Sequence, residues 1–179
     1  MYIPRSLHTT IVLETLLEHF RNGKGFFMDE SELPPEFLEP KGCFVSFYLP
    51  NKSMRGCMGS IEPLKKNLYQ EIGKNTFHAA FDDTRYPPLL EKELETVSIM
   101  VEVICKPERI FNSGELDPEK FGVIVKNDQN QTGLLLPRSH GVETVEQQVA
   151  LAMQKGGIDP KSWDPAKFRL YRFTVEQYH

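Results

Sequence analysis

Hydrophobic periodicity changes along this chain in the order helix, strand, helix, strand, hairpin, helix, strand, which is not a regular βαβ repeat. That order predicts an α+β domain with a largely antiparallel sheet flanked by helices. Leu7, Leu13, Leu16, Leu17 and Phe20 recur near helical spacing, and Gly23 follows as a stop. The acidic stretch DESELPPEFLEPKG carries three prolines and reads as an exposed loop. Residues 43–49 alternate, with Cys43, Val45, Phe47 and Leu49 on one side and Phe44, Ser46 and Tyr48 on the other. Pro50 and Asn51 begin a turn, and Met54 resumes extended chain. Leu64, Leu68, Ile72, Thr76 and Ala79 mark one stripe of a helix over 64–81, with Gly73 a mild weakness, and Pro87 and Pro88 prevent its continuation. VSIMVEVI reads as a strand, residues 121–137 as a hairpin, 144–155 as a helix stopped by Gly156 and Gly157, and FRLYRFTV as a last strand.

A chain of 179 residues fits one domain or two small lobes sharing a core, and 40% hydrophobic residues suffice to build that core. The net charge of -4 argues against a chain that binds nucleic acid over its whole surface. No apolar run reaches the length of a membrane span, and the first twenty residues lack the three regions of a signal peptide in sequence. Cys43, Cys57 and Cys105 are odd in number and widely spaced, as expected of reduced thiols in the cytoplasm, and they show no spacing of a metal site.

The segment NKSMRGCMGSIEP concentrates the chemistry. In an extended strand Arg55 and Cys57 share a face, and a nearby cation favours the thiolate, which is the nucleophile. Gly56 and Gly59 let the backbone approach a ligand closely, and Lys52, Lys65 and Lys66 add positive charge for a carboxylate or phosphate. The competing reading makes Cys57 a small buried hydrophobe beside a glycine bulge. His78 and His140 are the histidines available as a base, and neither has an evident orienting partner. Asp83 and Arg85 suggest either a second anion contact or a capped turn. Lys155 ends a helix, where the dipole favours a cation and only burial makes the amine catalytic.

With these residues in view, the chain resembles the AMMECR domain family, whose prokaryotic members are called AmmeMemoRadiSam system protein A. MRGCMGSI is similar to that family's LRGCIG signature, and GCFVSF, HAAFDDTRYPPL, SIMVEVI, FGVIV, GLLLP and ETVEQQVALAMQKGGI follow the family order around it. The resemblance implies a single domain over 1–179 built of two intertwined lobes, a larger and a smaller, with the signature at a cleft between them. It places Arg55, Gly56, Cys57 and Gly59 on the signature, Asp83 and Arg85 on a downstream Asp-x-Arg pair, Pro137 on a Leu-Leu-Pro element and Lys155 before the terminal glycine. Met58 stands where Ile is common, and Arg138, Ser139 and His140 depart from the usual continuation.

Two functions remain open. In one, the chain is an enzyme or enzyme component acting on a small anionic or carbonyl-bearing metabolite. Cys57, Arg55 and Lys155 are then catalytic, and Gly56, Gly59, Asp83, Arg85 and Pro137 line the substrate, in a pathway with Memo-like and radical S-adenosylmethionine proteins. In the other it is a non-enzymatic module for a protein partner, with nucleic acid the weaker case. No cofactor or substrate can be named from the sequence.

Overall fold

Ser6 opens the first helix: its backbone is extended and its hydroxyl accepts a hydrogen bond from the Thr9 N–H, answering a donor that a helix start leaves unpaired. In the computed structural model, which describes residues 2–164 and 167–179, helix α1 then runs over Leu7–Asn22. It ends at Gly23, whose φ of 73° lets its N–H reach the His19 carbonyl. The acidic, proline-bearing stretch is more ordered than the expected exposed loop. It forms a short helix, α2 (Pro35–Leu38), with proline at the tolerated first position, and it buries Leu33 and Phe37.

Strands β1 (Cys43–Tyr48) and β2 (Met54–Ser60) pair antiparallel. Helix α3 covers Leu68–Phe77, starting later than the stripe from Leu64 predicts. The reason is Glu71, fully buried, whose carboxylate accepts the N–H groups of Leu64 at 2.8 Å and Lys65 at 2.7 Å, and the Ser60 hydroxyl. Those amides hold a turn, and the helix begins only where the Asn67 side chain caps Gln70. A π-helical turn, His78–Asp82, extends α3.

The chain continues through β3 (Ser98–Ile104), a three-residue β4 (Glu108–Ile110) that the sequence pattern does not announce, and the hairpin of β5 (Gly122–Asn127) and β6 (Thr132–Leu135). Helix α4 (Val145–Lys155) is capped by Thr144. The single last strand expected is two: β7 (Phe168–Phe173) and β8 (Val175–Tyr178), divided at Thr174. The fold is α+β with two four-stranded sheets where one was expected, ordered β2-β1-β3-β8 and β4-β7-β5-β6. The division at Thr174 is what sends β7 and β8 to different sheets.

Two compact units follow from this. The first holds the residues to Ile104 together with Glu176–His179; the second is Cys105–Val175. Within the first, Val45, Phe47, Ile99 and Val101 share a core with Ile11 and Leu16 of α1 and Ile72 of α3. In the second, Val149 and Met153 of α4 share a separate core with Val123, Val125 and Leu135. No helix among the described residues is long and apolar enough to cross a membrane.

His8 ties the C-terminal strand to the first unit. Its ring stacks on Tyr178 at a centroid distance of 3.5 Å and packs against Phe37 at 4.4 Å, leaving the residue 5% exposed. Burial lowers its pKa from 6.5 to about 4, against the pull of Glu36 and Glu176, while Lys41 adds slightly to the lowering. The unfolded chain therefore takes up a proton at a higher pH than the folded one. This contribution to stability is complete above pH 6.5 and is lost as the pH falls towards 4. The loss amounts to about 3 kcal/mol. Urea titrations through this window are expected to show that slope in the native chain and a much flatter one in a His8→Phe variant. Equal slopes would show that the stacked ring does not carry the effect.

Candidate functional site

β2 is an edge strand of the first sheet, and the glycine-flanked thiol sits in it. Against β1, Phe47 pairs with Gly56 but Tyr48 pairs with Met54, so Arg55 is an extra residue in a bulge. The rule that side chains two apart share a face assumes unbroken pairing and does not carry across that bulge. Partners place Arg55 instead. Its Nε donates to Glu93 Oε1 at 2.7 Å and its Nη2 to Glu93 Oε2 at 2.9 Å, a two-pronged pairing. Nη1 and Nη2 also donate to the carbonyls of Pro87 and Pro88 at 2.9 and 3.2 Å. The residue is 7% exposed. The cation expected to activate Cys57 is thus committed to a brace within the fold.

Gly56 makes the next step possible. A Cβ there would lie 2.3 Å from the Ala79 carbonyl oxygen, so only a glycine lets the π turn seat against β2. That turn delivers Asp83, 6% exposed, to the free edge of the strand. Asp83 Oδ2 accepts the Cys57 N–H at 2.9 Å and Arg85 Nη2 at 2.7 Å, while Oδ1 accepts Arg85 Nε at 2.8 Å. Arg85 Nη2 donates in addition to the Cys57 carbonyl at 3.0 Å. One ion pair therefore satisfies both backbone groups that an edge strand leaves open at Cys57. The Arg85 guanidinium, with the amides of Cys57 and Arg85, outweighs burial and draws the Asp83 carboxyl down to about 2. Arg85 in turn is held above its ordinary range, chiefly by Asp83.

The sheet face bearing Cys57 is populated by residues the signature does not contain. Ser46 lies opposite Cys57 on β2 and opposite Met100 on β3. Tyr48 and Glu102 share that face by the alternation of the strands. Burial raises the Tyr48 phenol, and the charges of Glu102 and Cys57 act in the same direction. Glu102 is buried and accepts a hydrogen bond from Gln177 at 2.8 Å. Gly59 lies beneath the Phe44 ring, where a Cβ would come within 2.4 Å. The alternation of residues 43–49 is a signal for Ser46 and Tyr48. Nothing local marks Glu93, whose partner is distant in sequence.

The remaining expectations divide. Arg55, Gly56, Cys57, Gly59, Asp83 and Arg85 belong to the first unit, and Pro137 and Lys155 to the second. Pro137 is buried, whereas Lys155 is exposed at the end of α4 and lacks the burial that a catalytic amine requires. His78 begins the π turn, and His140 is exposed in the second unit. The expected basic cluster is partly neutralised, since Arg55 pairs with Glu93 and Lys66 with Glu30 at 2.9 Å. Among the described residues, no group of three or more His, Cys, Asp or Glu is placed to hold a metal ion.

Comparison with known proteins places this geometry in context. The AMMECR1 family model matches residues 9–178. A protein from Thermotoga maritima is 40% identical over 93% of this chain and 93% of its own length. One from Clostridium acetobutylicum is 34% identical over 85% of this chain, which spans 32% of that longer protein. Among solved structures, an uncharacterized protein from Pyrococcus horikoshii superposes with a TM-score of 0.85 at 26% identity, covering 95% of this chain and 88% of that one.

Two substitutions test the edge. Gly56→Ala is expected to destabilise the chain by about 3 kcal/mol, because neither the strand nor the turn carbonyl can retreat freely. Gly73→Ala, where a Cβ meets nothing within 4 Å, should instead stabilise by up to about 1 kcal/mol. Equal shifts in denaturant midpoint would refute the close approach. For Asp83, the folded pKa lies below the ordinary 3.8, so its contribution is present above pH 3.8 and lost as the pH falls to 2. Asp83→Asn should remove that slope and cost about 1–2 kcal/mol at neutral pH, the exposure of Arg85 limiting the figure.

Proposed function

The chain belongs to the AMMECR1 family, and on that premise we propose that it works through Cys57 as an enzyme or enzyme component acting on a small anionic or carbonyl-bearing metabolite. One arrangement supports the reading. The Arg85 guanidinium is fixed by Asp83 and by the Cys57 carbonyl, its side chain is 55% exposed, and its Nη1 has no hydrogen-bond partner among the described residues. A half-buried thiol belongs to the same residue that Arg85 grips. A ligand oxygen meets Nη1 while the ligand's electrophilic carbon meets the thiol. Addition to an aldehyde or ketone forms the S–C bond as the carbonyl π pair moves to oxygen, which takes up the proton released by the thiol. Tyr48, kept protonated at neutral pH, offers a hydroxyl on the same face. Asp83 already balances the Arg85 charge, so recognition rests on the direction of N–H donors and depends weakly on salt. In this reading the protein serves in a pathway with Memo-like and radical S-adenosylmethionine proteins.

The alternative, a non-enzymatic binding module for a protein partner, draws on the commitment of Arg55 to Glu93 and the two proline carbonyls, which turns the expected activator of the thiol to a structural task.

Iodoacetamide labelling across pH, read by peptide mass spectrometry, separates the two. Cys43 is an internal zero, since it is fully buried and burial pushes its thiol up to about 12. Cys105, partly exposed, is the fair comparison. Cys57 is expected to label faster than Cys105 near neutrality and to slow in an Arg85→Gln variant. If Cys57 labels no faster than Cys105, the activated-thiol reading fails and the binding module stands.

A further inference from the structure

The first unit contains a second feature that the Cys57 edge does not use. A cavity of about 480 Å³ lies among α1, residues 26–30 and α3, a volume typical of small-molecule sites. Ile11, Phe26, Phe27 and Phe77 give it an apolar lining, and Phe27 stands 83% exposed beside it, a large aromatic with little of its surface covered. Two observations indicate that it is a site and more than a packing gap. Thr15 lines the cavity with a hydroxyl that has no hydrogen-bond partner among the described residues. A hydroxyl that no protein group engages is available to a ligand's polar atom. Gly73 also lines the cavity from the middle of α3, with nothing within 4 Å of the Cβ it lacks. A glycine inside a helix weakens it, and this one serves no turn and no close approach. Its effect is to leave space.

Charge selects the class of occupant. Glu30, at the rim, is held by Lys66 at 2.9 Å and by Gln70 at 2.9 Å. Lys74 leans towards Glu71 at 3.7 Å. The Lys65 backbone is pinned by Glu71, but its ammonium has no partner among the described residues. The Tyr69 hydroxyl is occupied on both sides, accepting from the Met28 N–H and donating to the Phe26 carbonyl. His78 completes the polar part of the wall.

We propose that this cavity binds a small carboxylate with an aromatic or short aliphatic body. The body lies against Phe26, Phe27 and Phe77, the carboxylate meets Lys65, and a polar atom meets Thr15. The site is independent of Cys57 and stands whether or not the thiol is catalytic.

Calorimetric titration of the full chain with phenylbutyrate, and with phenylbutyramide as its neutral counterpart, tests this. The acid is expected to bind at one site with at most low-millimolar Kd and the amide about tenfold more weakly. Lys65→Gln should erase the difference between the two probes, and Thr15→Val should weaken both. Gly73→Leu, which fills the space, should abolish binding while leaving the melting temperature at or above that of the native chain. If Gly73→Leu does not fold, the Lys65→Gln and Thr15→Val titrations decide the question in its place. Undiminished binding in folded Gly73→Leu, equal binding of acid and amide to the native chain, or no binding of the acid at millimolar concentration each overturns the proposal.

Discussion

A single buried guanidinium organises the first unit. Arg55 stands in a strand bulge, and its fork joins Glu93 and the carbonyls of Pro87 and Pro88, more than thirty residues away in sequence. Proline has no N–H, and two prolines in succession leave a stretch of chain that cannot join a ladder as a donor. Their carbonyls still need donors, and Arg55 supplies them. Removing one member of such a pairing leaves the other stranded, at a cost of about 3 kcal/mol. The segment that Arg55 pins is the one that carries the chain out of the π turn and past Asp83. Without it the carboxylate has no fixed address at the strand edge.

Each residue of the glycine signature thus answers a different physical demand. Arg55 braces, Gly56 permits the Ala79 carbonyl to approach, and Gly59 lies under Phe44. Cys57 is the member whose backbone, through Asp83 and Arg85, is closed to further strand pairing. An exposed edge is an aggregation hazard, and a salt bridge across its open N–H and C=O removes that hazard.

Legibility in the sequence follows the range of the interactions. The α+β class and the main elements can be read because Cys43, Val45, Phe47 and the stripe in α1 are set by local periodicity. The family likewise lies within reach, since ordered motifs span the chain. The bulge at Arg55 escapes because one inserted residue is invisible until the partner strand is known. The start of α3 falls later than its stripe suggests because Glu71, an ordinary helix position by pattern, reaches back to hold the preceding turn. The split at Thr174 has no local mark either, since FRLYRFTV reads as one strand whichever sheet receives its ends. In the candidate site, Asp83 and Arg85 are visible as types, while their grip on the Cys57 backbone requires three dimensions.

The return of β8 to the first sheet has a kinetic side. The strand lies beside β3, yet the whole second unit is made between the two. During synthesis the second unit can close its own hairpin from near neighbours while the first sheet still waits for its last edge. Closing so long a loop adds little to the equilibrium cost, which grows only with the logarithm of length, but it slows the approach to the finished fold. The stack of Tyr178 on His8 joins β8 to α1, and so it forms only when everything between them has been synthesised. Until that contact forms, the β3 edge that β8 covers stays unpaired and open to other strands.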